Sequence, residues 1–205
     1  NRRNSGGGGN FAADFLKGLK MTSTVSVCNR ALSKIGDELI VSSLDDETKA
    51  ARYCKALFND TRDFVLRSYP WRFALKRYVL APLKEKPLFG FSAAFAMPSD
   101  CLRVWKTVDC DSYQTEGRNI LADGDAFCFI GISRVEDAER FDPMFVEALA
   151  LRLAAELAVP LAASTALKDA LYREYRDFVQ QAKTASAMEG AQDVCRPVGW
   201  LEARA

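Results

Sequence analysis

The run FVEALALRLAAELAVPLAA, residues 145–163, is apolar on nearly every side and constrains the fold more than any other stretch of the chain. Glu147, Arg152, Glu156 and Pro160 interrupt it, so it reads as a buried helix, because a membrane span needs about 20 predominantly apolar residues. A helix that is apolar all round has to be surrounded. The other elements must therefore cover it, and the run belongs at the centre of a bundle. Asp142 is placed to cap its start with Pro143 in the first turn, and Phe145, Ala148, Leu149, Leu153 and Leu157 are its core residues.

Three further segments carry one-sided apolar stripes at helical spacing. The first covers about 23–36: Thr24 or Ser26 can cap it, Cys28, Ala31, Leu32 and Ile35 share a face, and Gly36 suits the left-handed end. The second covers about 45–69. Ser43 with Asp46 forms a weak capping box, the acids Asp45, Asp46 and Glu47 occupy the first turn, and Ala50, Cys54, Leu57, Thr61, Phe64 and Val65 face inward. Together with the central helix at 142–159, a last helix at 164–188, capped by Ser164, turns Leu167, Leu171, Tyr175, Phe178 and Ala182 inward. Short loops between amphipathic helices predict antiparallel neighbours.

Between these helices the period changes. At Ser68-Tyr69-Pro70-Trp71 the helical pattern stops, and residues 71–133 read as a β-rich insertion. RFALKRYVLA favours a strand, with Trp71 and Phe73 anchoring the crossing from the helices. The segment 82–100 reads as a loop bearing exposed aromatics. CLRVWKTV alternates, with Leu102, Val104 and Lys106 on one side and Arg103, Trp105 and Thr107 on the other. Turns are expected at Glu116-Gly117 and Asp123-Gly124, the latter a strong hairpin signal. The predicted fold is mainly α with a β-rich insertion: an antiparallel bundle of about four helices, a small sheet or hairpin extension, and an extended C-terminal tail. Residues 21–190 form one domain. Residues 1–20, with a tetraglycine where the apolar part of a secretory signal would lie, read as a Gly-rich extension preceding a natural start at Met21. Phe11, Phe15, Leu16 and Leu19 give that extension the option of a short docking helix.

Composition excludes several chemistries. The 28 Lys and Arg nearly balance the 27 Asp and Glu, so no overall attraction to nucleic acid or an anionic membrane is implied. There is no histidine, and the six cysteines, Cys28, Cys54, Cys101, Cys110, Cys128 and Cys195, contain no CxxC. Histidine-dependent triads and histidine-dependent zinc sites are thereby excluded. The cysteines read as small buried hydrophobes. No glycine-rich loop has phosphate-cradling spacing, and no metal or cofactor is expected. Two acid clusters, Asp123 with Asp125 and Asp45 to Glu47, are better explained as turn and cap residues than as general acid–base pairs. Arg72, Lys76 and Arg77, interleaved with aromatics, can grip phosphates, yet alternation favours a charged edge strand.

Taken in order, the pieces resemble the tail tubular protein A family, the head-to-tail adaptor or gatekeeper proteins of short-tailed bacteriophages. The pieces are Ala31-Leu32-Ser33-Lys34-Ile35-Gly36, Ser43-Leu44, Leu66 with Pro70-Trp71-Arg72-Phe73-Ala74, and Phe95-Ala96-Met97-Pro98-Ser99-Asp100-Cys101-Leu102-Arg103. The resemblance spans about residues 22–190, and the Gly-rich extension lies outside the family pattern. It implies a non-enzymatic virion protein of the neck and tail, assembled in the host cytoplasm. The subunits would form a homo-oligomeric ring, a dodecamer, between the portal protein and the tail nozzle or tail fibres. Packaged DNA would pass through that ring without sequence-specific binding, and no membrane is involved.

Within this reading the tail 191–205 is the portal-docking segment, through Arg196, Val198, Trp200 and Leu201, since Trp and Arg are favoured interface anchors. Phe89, Phe91, Phe95, Asp123 and Asp125 are candidates for contact with tail proteins or a neighbouring subunit. Pro70, Trp71 and Phe73 form the structural junction. The competing readings are a tail-borne cell-wall hydrolase acting through Asp123, Asp125 or Glu47, and a nucleic-acid-binding module acting through Arg72, Lys76 and Arg77.

Overall fold

A computed structural model describes residues 22–36, 40–108 and 112–189, with side chains described to residue 184. The helices are α1 (Thr24–Lys34), α2 (Lys49–Ser68), α3 (Pro143–Ala162) and α4 (Thr165–Glu189). Between α2 and α3 lie β1 (Leu75–Leu80), β2 (Ala93–Ala96), β3 (Cys101–Val108), β4 (Tyr113–Glu116), β5 (Asn119–Ala122) and β6 (Phe127–Ser133). Short 3-10 turns at Arg72–Ala74 and Ala138–Arg140 mark the two crossings between helices and strands.

The helical layer follows from α3. Its Phe145, Leu149, Leu151, Leu153 and Leu157 are all fully buried, and the other three helices pack around it. Asp142 caps it, accepting from the Met144 amide at 2.8 Å with Pro143 beside it. The helix runs through Pro160 to Ala162 rather than stopping at 159. Lys49 Nζ donates to the Pro160 carbonyl at 2.6 Å near that end, and Ala163 closes it in the left-handed conformation at φ 50°.

The caps of α1 and α2 differ from expectation. Ser23, not Thr24 or Ser26, caps α1: the Ser23 hydroxyl accepts from the Ser26 amide at 3.1 Å, and Ser26 Oγ accepts from the Ser23 amide at 2.9 Å. Thr48 caps α2, accepting from the Ala51 amide at 3.1 Å. The helix therefore starts after the acids. Asp46 serves the preceding loop instead, accepting from the Ser42 and Ser43 amides at 3.0 and 2.9 Å. On α2, Phe64 is 47% exposed rather than inward, because Ala51, Phe58 and Leu66 complete the buried face. Three cysteines, Cys28, Cys54 and Cys101, are buried, whereas Cys128 is only half-buried. The Cys54 thiol beside it, and burial, hold the Cys28 thiol well above its ordinary pKa.

The expected fold class is corrected by the strands. The described residues form four helices and two three-stranded antiparallel sheets, 49% helix and 22% strand. This is an α+β architecture, not a helical bundle with a small hairpin. The first sheet has the order β1-β6-β3 and the second β2-β5-β4. Their facing sides enclose a second core of Tyr78, Phe95, Cys101, Val104, Ile120, Phe127 and Phe129. The insertion is thus a two-layer sandwich.

Two local features concealed it. Asp123-Gly124 is not a hairpin turn: it carries the chain from β5 in one sheet to β6 in the other. The tight hairpin is instead β4–β5, where Gly117 at φ 58° takes the position that a type II′ turn reserves for glycine. The second feature is that β3 does not alternate cleanly. Register shifts fall between Cys101 and Arg103 and between Val104 and Lys106. Each inserts an extra residue, so Leu102 with Arg103, and Trp105 with Lys106, share the sheet's outer side.

Close approach within the sandwich is concentrated at Gly131. A Cβ there would lie 2.8 Å from Phe129 Cε2 and 3.0 Å from both Cys101 Sγ and Tyr78 Cε2. Gly131→Ala is therefore expected to destabilise the protein by about 1–3 kcal/mol through overpacking. Thermal unfolding followed by circular dichroism should show a Tm lowered by roughly 2–4 °C per kcal/mol, and an unchanged Tm would contradict this packing.

Candidate functional site

No cluster of His, Cys, Asp and Glu among the described residues could hold a metal ion, and no helix among them is long and apolar enough to cross a membrane. The features with functional content are a rigid joint, an exposed end of the sandwich, and the faces around them.

The joint is built from the residues at which the helical pattern stops. Tyr69 is extended, as the residue before a proline tends to be, so α2 ends at Ser68. The Trp71 side chain then turns back: it is 4% exposed, and its Nε1 donates to the Val65 carbonyl at 3.0 Å. That carbonyl also accepts from Ser68 Oγ at 2.8 Å, so the helix end is closed by side chains. Trp71 packs edge-on against Tyr69 and Phe145, with centroids 5.0 and 5.3 Å away. Phe73 lies 5.1 Å from Phe145 and 6.0 Å from Phe141. Trp71 and Phe73 thus join Tyr69, Phe141 and Phe145 in one aromatic cluster between the end of α2 and the start of α3.

Polar contacts fasten the strands to the same place. Ser133 Oγ donates to the Ala74 carbonyl at 3.0 Å in a buried setting. Arg67 Nη1 donates to the Leu102 carbonyl. The Arg134 Nε reaches Asp63 Oδ2 at 2.7 Å, while Asp63 Oδ1 accepts from the buried Arg62 Nε at 2.9 Å. Sequence reasoning missed this pair of arginines sharing one carboxylate, because Arg134 lies 71 residues beyond Asp63. In the Pro98-Ser99-Asp100 turn, the Asp100 carboxylate accepts from Lys76 Nζ at 2.7 Å and from the Tyr78 hydroxyl at 3.2 Å. The Lys76 hydrogen bond and charge hold the Asp100 carboxyl below its ordinary range, against the opposing effect of partial burial. Burial first, and then the Asp100 charge, push the Tyr78 phenol well above its own.

At the far end of the sandwich the structure brings together two of the expected contact segments. The Asp123 carboxylate accepts from the Ser92 amide at 2.8 Å, and the Gly124 amide donates to Ser92 Oγ at 3.4 Å. The turn bearing Asp123 and Asp125 is therefore bound to the end of the 81–92 loop. Phe89 is 85% exposed and its neighbour Leu88 97%, whereas Phe91 is half-buried. Phe95 is different. It is fully buried on β2, 5.7 Å from Phe127, and pairs across to Ile120. Its expected contact with other proteins is corrected to a place in the sandwich core, because the segment 82–100, which reads as a loop, contains the strand β2. Leu88, not singled out from the sequence, takes its place as an exposed apolar residue.

The remaining sites fall apart. Asp45 is paired with Lys55 at 2.7 Å, which holds its carboxyl below the ordinary range, and Asp45 to Glu47 lie in the loop before α2. Arg72 sits in the 3-10 turn, while Lys76 is engaged by Asp100. The residues expected to dock on a portal, Arg196, Val198, Trp200 and Leu201, the tail 191–205, the extension 1–20, Cys110 and Cys195 lie outside the described residues. Compared with known proteins, the chain matches no protein-family model and no curated protein.

Two measurements test the joint. Trp71→Ala should destabilise the protein by about 3–5 kcal/mol, the range for deleting a buried aromatic side chain, and Trp71→Phe by less, in chemical denaturation. The Asp100 contribution should depend on pH with a defined sign. Because its folded-state pKa is lowered, its stabilisation is present above about 3.9, the ordinary aspartate value, and is lost as pH falls through the folded value. Asp100→Asn should therefore narrow its stability deficit on acidification. A deficit that is the same at pH 7 and pH 3 would contradict the ion pair.

Proposed function

We propose that this chain is a structural subunit of a phage head-to-tail adaptor, forming a homo-oligomeric ring, a dodecamer, between the portal and the tail nozzle or tail fibres. It is a virion protein of the neck, assembled in the host cytoplasm, and has no catalytic role. Packaged DNA passes through the ring and is retained and released there without sequence-specific binding.

The observation that carries this reading is the ordered set of sequence pieces that resemble the tail tubular protein A family, together with what those pieces do in the fold. Pro70-Trp71-Arg72-Phe73-Ala74 forms the aromatic joint, and Pro98-Ser99-Asp100 forms the turn that ties β3 to β1. The first motif packs the crossing against the helices, and the second ties two strands of one sheet together. Beyond that joint the chain exposes Leu88 and Phe89 at the sandwich end, as suits a subunit that meets other proteins. The near balance of charge, 28 basic against 27 acidic residues, suits a conduit through which DNA slides, since tight non-specific binding draws on many phosphate contacts.

Electron microscopy of the purified full chain mixed with its portal tests the reading. Closed rings seated coaxially on the portal are expected. A chain that stays monomeric alone and with the portal would overturn it, as would peptidoglycan cleavage lost in Asp123→Ala or Asp125→Ala variants that remain folded. In the same assay Leu88→Asp with Phe89→Asp should leave the rings intact and reduce capture of tail proteins. Undiminished capture would remove that loop from the contact.

A further inference from the structure

The strand β6 reads Phe127-Cys128-Phe129-Ile130-Gly131-Ile132, apolar on both sides, which is the pattern of a strand covered on both faces. One face is covered, since Phe127 and Phe129 are 1% exposed inside the sandwich. Among the described residues the other is covered only at its helical end, where Ile132 joins the main core with Leu75 and Leu102. Farther along, Cys128 and Ile130 are half-buried. Their neighbours across the sheet are Val79 at 74% exposure and Val108 at 43%, both opposite Cys128. The second bulge adds Trp105, 48% exposed, to the same side. Arg77, opposite Ile130, and Arg103, whose guanidinium lies 5.6 Å over the Trp105 ring, border this surface. The result is an open sheet face with an apolar centre and a cationic rim.

We infer that a second copy of this chain covers that face, docking with the acidic turn that precedes and begins α3. In that turn Glu136, Asp137, Glu139 and Asp142 are exposed around Pro143 and the 37% exposed Met144, with Arg140 as the one basic residue between Glu136 and Asp142. An apolar tip rimmed by acids complements an apolar face rimmed by arginines. The exposed Leu88-Phe89 loop is the poorer occupant, because Lys84 and Lys86 outweigh Glu85 and give it the sign of the rim. A nucleic acid is also disfavoured. Stacking platforms engage successive bases with several aromatics, and this face offers Trp105 among aliphatic residues. The inference rests on the ring reading: one patch meeting a different patch on the next copy is a heterologous contact, the kind that closes a ring.

The test uses the full chain in sedimentation-velocity experiments, with circular dichroism to establish that each variant is folded. Arg77→Glu and Glu139→Arg should each weaken self-association about tenfold or more, as expected for a mismatched interfacial charge. The double variant R77E/E139R should recover most of it, an outcome that general damage to the fold does not produce. Val79→Asp should weaken association without recovery by E139R. If the wild-type chain assembles and R77E assembles equally well, the docking inference falls while the ring reading stands. Loss in both single variants without recovery in the double one overturns the pairing of face and turn. A wild-type chain that remains monomeric even with the portal overturns both readings. Binding of a 30-base single-stranded oligonucleotide that is abolished by R77E would assign the face to nucleic acid instead.

Discussion

The Trp71 indole, hydrogen-bonded to the Val65 carbonyl and packed edge-on against Phe145, is the contact on which the placement of sandwich against helices depends. The chain passes between the layers twice, once between Tyr69 and Leu75 and once between Ser133 and Asp142. Both passages end in the same aromatic cluster, since Phe141 lies 4.9 Å from Phe145 and Val135 and Ala138 are buried in the same core. The buried Ser133–Ala74 hydrogen bond ties one passage to the other. A layer held at both of its chain crossings by close-packed aromatics has little freedom to pivot, because packed cores deform only at substantial cost.

Legibility from sequence tracked the range of the interactions involved. The helices could be read because a 3.6-residue stripe is a local signal, and the all-round apolar run of α3 even located the centre of the layer. Asp142 and Ser164 cap α3 and α4 as expected, whereas the starts of α1 and α2 are displaced because several Ser, Thr and Asp residues there offer alternative local hydrogen bonds to the backbone. The sandwich could not be read. Its identity depends on which strands pair, and β3 hides its register behind two bulges. Asp123-Gly124 looks alike whether it joins two strands of one sheet or carries the chain between sheets. The place of Phe95 is hidden for a related reason: its neighbours Ala93, Ala94 and Ala96 have little β propensity, so its strand forms through pairing with β5.

The buried charges follow a similar logic. Arg62 is only 5% exposed, and burying a guanidinium alone would be costly. Asp63 accepts from it on one oxygen and from Arg134 on the other, while Asn59 Oδ1 accepts from Arg62 Nη1 at 3.1 Å. The carboxylate thereby links α2 to the segment that leaves β6. On the opposite side, Arg152 of α3 pairs with Glu156 at 2.6 Å and lies between the rings of Phe64 and Tyr172, 4.9 and 5.1 Å from their centroids. That arrangement accounts for Phe64 standing outside the core: it covers a cation that α3 could not otherwise bring so close to its neighbours.

Under the adaptor reading, the division of labour that results bears on how the chain would meet several partners. The helical layer spends most of its large apolar side chains on itself, around α3 and the aromatic joint. The sandwich does not, because among the described residues the helices reach only one end of the outer side of β1-β6-β3. Helix contact ends at Leu75, Leu102 and Ile132, and the distal half, from Arg77 to Val79 on β1 and from Trp105 to Val108 on β3, is left open. A rigid joint makes that open half useful for assembly, since a contact formed there positions the helices as well. Within the adaptor reading, a self-sufficient helical core and an unfinished sandwich are two consequences of one constraint: the sheet is longer than the surface that its own chain can supply.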